Sequence, residues 1–208
     1  MNDAPLFADR KAAGQALASA LEHLRGCAGI VIAIPRGGVP VAAEVARALS
    51  LPLDILLSKK IGHPNNPEYA VGAVTIEDRV LNPGQDLDPC WLESETARIR
   101  RELNEKRLRL KGDRPDIPLR NRTVIIIDDG IATGQTLLAT LPMIRRQHPT
   151  RIIIAVPVAP AAAVRVLRSE VDELIVLHTP GDFAGVGAFY EDFTQVEDAE
   201  VAALLKSG

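Results

Sequence analysis

The chain has 208 residues, 47% of them hydrophobic and only 3% aromatic, so Ala, Val, Ile and Leu must fill its core. A net charge of −3 and a pI near 5.8 give no global attraction to nucleic acid or to an anionic membrane. Cys27 and Cys90 match no metal spacing, the polar N-terminus lacks an apolar signal core, and no apolar stretch approaches the ~20 residues that cross a bilayer, so a cytoplasmic, reducing location is expected.

Taken in chain order, a helix capped by Asp9 is predicted to run to about Leu24, with Leu17, Leu21 and Leu24 on one stripe. Ile30–Ile34 follows as a short branched apolar run, then an Ala- and Val-rich helix, Val39–Leu49. Leu53–Leu57 is a second run. The breaker-rich segment from Ser58 to Pro67 reads as a loop, with Tyr69–Val74 a short strand against which Thr75–Val80 can pair. Asp88-Pro89 opens a long helix, Pro89–Lys111, with an Asp cap and Pro at its first position. Trp91, Leu92, Ile99, Leu103 and Leu110 lie near one face of it; from Glu93 to Lys111 it carries seven basic and four acidic residues, which reads as a solvated face. Three further runs, Val124–Ile127, Ile152–Val156 and Leu174–Leu177, are separated by helices at Thr136–Arg146 and Ala161–Leu167. The tail begins Gly-rich and ends in a helix near Val196–Leu205.

Short runs of unbroken apolarity suit strands buried on both faces of a parallel sheet, and strand–helix alternation argues for an α/β doubly wound, mostly parallel five-stranded sheet. The expected organisation is a single domain over residues 1–208, with a flap and helical insertion at about 59–112 and a C-terminal hood at about 179–208.

Chemistry concentrates at the ends of the strands. Val124–Ile127 runs into Asp128-Asp129-Gly130-Ile131-Ala132-Thr133-Gly134-Gln135-Thr136, where a helix begins. Backbone N–H groups, two hydroxyls and a helix N-terminus between Thr133 and Thr136 make a phosphate cradle at the carboxyl edge of the sheet. Gly134 lets the backbone approach the anion closely. The paired carboxylates suit ribose hydroxyls or a metal. A second strand–loop–helix anion site is Pro35-Arg36-Gly37-Gly38 after the first run, and Lys59-Lys60 stand directly after the second.

Asp128–Thr136 resembles the phosphoribosyl-diphosphate signature of type I phosphoribosyltransferases: an apolar strand, two acids, two apolar residues, any residue, then Thr-Gly. The resemblance covers roughly residues 28–177. It implies that Asp128 and Asp129 bind the ribose 2′- and 3′-hydroxyls and that Ala132, Thr133, Gly134, Gln135 and Thr136 hold the 5′-phosphate. Arg36, Gly37 and Gly38 resemble the family's pyrophosphate loop, and Lys59 and Lys60 its basic residue before a flexible loop. The catalytic set implied is Arg36, Lys59, Lys60, Asp128 and Asp129. Mg²⁺ is implied as cofactor, held through the diphosphate and by Asp128. Gly130, where the family prefers an apolar residue, and Gln135, where Gly or Ser is usual, depart from the pattern. The flap is Ile61–Val80 extended toward Lys111, with Glu68 and Tyr69 as its ligand-reaching candidates. The N-terminal arm is short, so Thr179–Tyr190 is the expected base-recognising hood, with Phe183 placed to stack on a base.

The family's chemistry is displacement of pyrophosphate from phosphoribosyl diphosphate by a nitrogen acceptor, here a nucleobase. Ala132 occupies the position where members acting on 6-oxopurines carry an Asp, which disfavours hypoxanthine and guanine. A homodimer is implied by resemblance. The competing reading is a sensor of phosphoribosyl diphosphate that regulates by binding RNA or DNA, for which the basic helix Arg98–Lys111 is the single supporting feature. His23, His63, His148 and His178 form no ligand set.

Overall fold

A computed structural model describes residues 5–206, without the side chain of Glu68. Five parallel strands form the central sheet: β1 (Gly29–Ala33), β2 (Leu53–Ile55), β6 (Thr123–Ile127), β7 (Arg151–Val158) and β8 (Glu173–His178). Their spatial order is β2-β1-β6-β7-β8. The apolar runs are unbroken because successive side chains enter two different cores. Val31, Ala33, Ile125, Ile127, Ile153 and Ala155 pack with α1 (Arg10–Ala20) and α2 (Gly38–Leu49). Ile30, Ile32, Val124, Ile126, Ile152 and Ile154 pack with α4 (Gln135–Arg145) and α5 (Ala161–Arg168) on the other face. The doubly wound expectation holds.

Asp9 caps α1, its carboxylate accepting from Ala12 N at 2.7 Å. That helix stops at Ala20, short of the expected Leu24, and Glu22–Leu24 continue as a 3₁₀ turn. The segment from Ser58 to Pro67 departs further from expectation. It is not a loop: β3 (Ser58–His63) pairs antiparallel with β4 (Asn66–Thr75), turning at Pro64 and Asn65. Two facts override the breakers. Ile61 is fully buried and gives the strand an apolar anchor. Gly62 sits at a register shift where a Cβ would come within 2.4 Å of the Pro67 carbonyl oxygen, a bulge only glycine fits. β5 (Arg79–Leu81) completes this three-stranded sheet; Val74 pairs with Arg79, so the expected pairing is present but starts later than Thr75.

The long helix α3 (Pro89–Lys111) is capped by Asp88, whose carboxylate accepts from Cys90 N and Trp91 N. Leu92, Thr96, Ile99, Leu103 and Leu110 form its buried stripe. It packs against β3, β4 and α6 (Asp198–Lys206), while Arg79 donates to Thr96 Oγ1 and Arg146 of the α4 terminus donates to Asp78 at 2.8 Å. The insertion is thus tied to helices on both of its sides.

One buried ion pair fixes the far end of α3. Lys111 Nζ lies 2.6 Å from Asp54 Oδ1 and 2.6 Å from Asp116 Oδ1, and Asp54 Oδ2 accepts from Ile117 N at 3.0 Å. The Lys111 and Asp54 side chains are 4% and 6% exposed. Removing one partner leaves a desolvated charge. We predict that Asp54→Ala lowers stability by about 3 kcal/mol, seen as a lower urea midpoint with an unchanged slope, whereas Asp54→Leu with Lys111→Met costs far less.

Candidate functional site

β1 and β6 are neighbours in register, Ala33 beside Ile127, so the loops that leave their carboxyl ends must meet. They meet at very short range. A Cβ on Gly37 would lie 2.0 Å from Asp129 Oδ2, and one on Gly38 would lie 2.8 Å from the Asp128 Cα. Gly37 has ordinary right-handed helical angles, so close approach and not backbone freedom demands glycine there. The peptide between Pro35 and Arg36 is cis. Gly38 N donates to Ile34 O at 3.1 Å and Val39 N to Arg36 O, closing the loop onto the start of α2.

The second loop runs between β6 and the N-terminus of α4. Gly134 precedes α4 with φ of 74°, a left-handed conformation that favours glycine. Ala132, Thr133, Gln135 and Thr136 are exposed around it, at the N-terminus of α4. Gln135 N donates to Thr133 Oγ1 at 3.4 Å. The exposed Gln135 side chain takes no room inside the loop, which accounts for its tolerance there. Gly130 also has a local reason. A Cβ there would fall 2.6 Å from Val186 Cγ1, because the hood packs directly onto this loop.

The acidic pair is asymmetric. Asp129 forms an ion pair with Arg10 Nε at 2.8 Å, with both side chains largely enclosed. Arg10 also donates to Thr194 O at 2.8 Å, and its guanidinium lies 3.8 Å from the centre of the Phe193 ring. Tyr190 donates its hydroxyl to Asp129 O at 2.6 Å. Burial, then the neighbouring Asp129, pushes the Tyr190 phenol up. Among the described residues Asp128 makes no ion pair, although the charge of Arg10 reaches it. Its Oδ1 accepts from Asp129 N at 2.9 Å. Burial, and next the charge of Asp129, raises its carboxyl well above the usual carboxylate range.

The N-terminal arm contributes more than expected. Phe7 bridges to Tyr190, and the rings of Phe7, His178 and Tyr190 form one cluster with 5.5–5.6 Å between neighbouring centroids. The hood is therefore made from both ends of the chain. Phe183 is half-buried beside Phe189, ring centres 5.5 Å apart.

Lys59 and Lys60 are on β3, not in a loop after β2. Lys59 Nζ lies 2.5 Å from Glu102 of α3. Arg36 Nη1 lies 3.3 Å from Asp198 Oδ1 at the start of α6. Tyr69 is 52% exposed on β4, and the Glu68 side chain lies outside the described residues. Arg10, Tyr190, Phe193 and Asp198 were not foreseen from the sequence. Each acts across more than 60 residues of chain, and no local spacing announces such contacts.

Among the described residues no three acidic, histidine or cysteine side chains converge on one point. Mg²⁺ does not need such a cage; it keeps waters and commonly takes one or two carboxylates together with substrate phosphates. Asp128, whose side chain makes no ion pair among the described residues, is the carboxylate that would serve in that mode. When bound, the ion would neutralise charge on a diphosphate.

Fold and site together define an α/β protein with two strand-to-helix loops in close contact and an acidic pair wedged between them. The chain belongs to the phosphoribosyl transferase domain family, whose profile matches residues 8–190. Two curated proteins from Mycobacterium tuberculosis strains CDC 1551 / Oshkosh and ATCC 25618 / H37Rv, each named provisionally as a phosphoribosyl transferase, are 42% identical over 205 residues. The match covers 96% of this chain and 46% of theirs, so the chain spans about half the length of those relatives. TT1426 from Thermus thermophilus is 43% identical in sequence; its crystal structure aligns with a TM-score of 0.88, covering 97% of this chain and 98% of that one. The purine phosphoribosyltransferase from Pyrococcus horikoshii Ot3 shares the fold, with a TM-score of 0.50 at 18% identity over 90% of this chain and 92% of its own.

The tight contact between the loops can be tested directly. Gly37→Ala forces the Asp129 carboxylate and the loop apart while leaving the core intact. Misplacement on this scale costs roughly a hundredfold in kcat/KM, to be read in steady-state assays beside an unchanged circular dichroism spectrum. Asp128→Asn acts on stability. A raised folded-state pKa means that the native state binds protons more readily than the unfolded chain, so ionisation destabilises as pH rises past the ordinary Asp value of about 3.9. Asp128→Asn should therefore melt higher than wild type at pH 7, with the difference closing as pH falls toward about 4.

Proposed function

We propose that the chain transfers the 5-phosphoribosyl group from phosphoribosyl diphosphate, with Mg²⁺, to a nitrogen acceptor, a nucleobase, releasing pyrophosphate. The observation that carries this reading is the interlock of the Arg36-Gly37-Gly38 loop with Asp128 and Asp129. That close approach supports adjoining seats for the diphosphate on C1′ and the 2′- and 3′-hydroxyls, which stand on neighbouring carbons of the ribose.

The division of labour follows from the chemistry of each group. The N–H groups around Gly37 and Gly38, with Arg36, hold the diphosphate. Ala132, Thr133, Gly134, Gln135 and Thr136 seat the 5′-phosphate at the α4 N-terminus. Asp128 and Asp129 accept from the ribose hydroxyls. The acceptor nitrogen forms its bond to C1′ as the C1′–O bond to diphosphate breaks; the electron pair leaves with pyrophosphate, and the proton of the acceptor N–H passes to solvent or to the departing pyrophosphate. Positive charge that develops on the ring is stabilised by the Asp128–Asp129 pair, and charge on the leaving group by Arg36, Lys59 and Lys60. For Lys59 this requires release from Glu102. The hairpin of β3 and β4 is the flap that excludes water, and Phe183 stacks on the base. Ala132 leaves no carboxylate for a 6-oxopurine. The protein works as a cytoplasmic homodimer and a single catalytic unit.

The sensor reading gains little from α3. Arg98 is engaged by Glu95 and Glu102 and Arg107 by Asp116, so the helix does not present these two cations freely to a nucleic acid backbone.

The test is pyrophosphate release from phosphoribosyl diphosphate with Mg²⁺ across a panel of purine and pyrimidine bases. Release should depend on one base and vanish in Asp128→Asn/Asp129→Asn. Folded protein that releases no pyrophosphate with any base would refute nucleobase transfer.

A further inference from the structure

The charged side of α3 is not uniformly a solvated face. Near its C-terminal end it approaches the anion loop after β1. Arg36 of that loop and Arg109 of α3 take opposite oxygens of one carboxylate, Asp198 Oδ1 and Oδ2, each at 3.3 Å. Lys106, one turn before Arg109, completes the group. It is partly buried, and its amino group is held below the ordinary lysine range by burial first and then by the Arg36 guanidinium. Asp198 and Arg109 also act on it, in opposite directions.

Two guanidiniums therefore share one carboxylate, with Lys106 one helical turn from Arg109 on the same side of α3. Among the described residues Lys106 makes no hydrogen bond or ion pair. Like charges brought together and partly desolvated repel, and such an arrangement is stable when an anion joins it. Asp198 supplies one negative charge, spread over two oxygens that bridge two guanidiniums. A phosphate group presents oxygens in the same bridging way and carries more charge.

We infer that Lys106 and Arg109 of α3 are further diphosphate-binding residues, closing with Arg36 around the leaving pyrophosphate, and that Asp198 is the internal anion which occupies these cations when ligand is absent. The inference rests on the proposed transferase reading for the identity of the anion. Arg109 is 58% exposed, so its charge is partly screened.

Two consequences separate this from a structural role. Neutralising Lys106 weakens binding of the anion itself and raises KM for phosphoribosyl diphosphate, but leaves KM for the base unchanged. Neutralising Asp198 has the reverse effect, because a competing carboxylate is gone.

The experiment is calorimetric titration of the full chain with pyrophosphate and Mg²⁺, and separately with phosphoribosyl diphosphate and Mg²⁺. It compares wild type, Lys106→Ala, Lys106→Arg and Asp198→Asn, with thermal melts to confirm folding. Loss of a charge-assisted contact predicts weakening on the order of tenfold or more in Lys106→Ala. Lys106→Arg should recover most of this, and Asp198→Asn should bind more tightly than wild type. Equal affinity in wild type and Lys106→Ala, with tight binding in both, overturns this inference and leaves the transferase reading standing. Wild type that binds neither probe overturns both.

Discussion

Gly37 and the Asp129 carboxylate occupy adjoining space with no room for a methyl group between them. The rest of the site depends on this constraint. It fixes the spacing between an anion loop and an acidic pair, and it arises from the parallel pairing of β1 with β6, whose carboxyl ends stop at the same level. The sheet does not merely display two loops. It presses them together, and the absence of side chains at Gly37 and Gly38 lets the backbones close.

Around that contact the molecule invests both of its ends. Arg10 from α1 reaches Asp129, Thr194 and Phe193 together, and Phe7 lies against Tyr190. Asp129 is thereby oriented by an enclosed guanidinium, while Asp128 beside it is left with burial and a neighbouring negative charge. Two adjacent carboxylates thus have different electrostatic characters. The insertion supplies the third wall. Its hairpin and α3 are anchored through Lys111, Asp54 and Arg79, so both are held in a fixed frame.

Much of this was legible in the sequence. The five strands were visible because a sheet covered on both faces needs apolar residues at every position, whereas a half-exposed helix or strand would interrupt a run such as Val124–Ile127 with polar residues. The loops were visible because Gly134 and the Arg36-Gly37-Gly38 motif sit directly between a strand and a helix. The hairpin was not visible. Its glycine and prolines read as breakers, while the features that make it a strand, the burial of Ile61 and the bulge at Gly62, depend on the tertiary fold. The Arg10–Asp129 pair and the Asp198 bridge were illegible for the same reason: a salt bridge across 119 or 162 residues leaves no periodicity. The charges of α3 were read as a solvated face because composition alone cannot show which side meets the anion loop.

The central claim is that the two interlocked loops form one site for a magnesium-bound sugar diphosphate. The most direct measurement is the crystal structure of the full chain grown with phosphoribosyl diphosphate and Mg²⁺ in the absence of an acceptor. The account predicts one ligand per chain, its 5′-phosphate at Thr133–Thr136, its ribose hydroxyls on Asp128 and Asp129, and its diphosphate against Arg36 and Gly37. A ligand seated elsewhere, or one whose ribose does not touch the acidic pair, would contradict it.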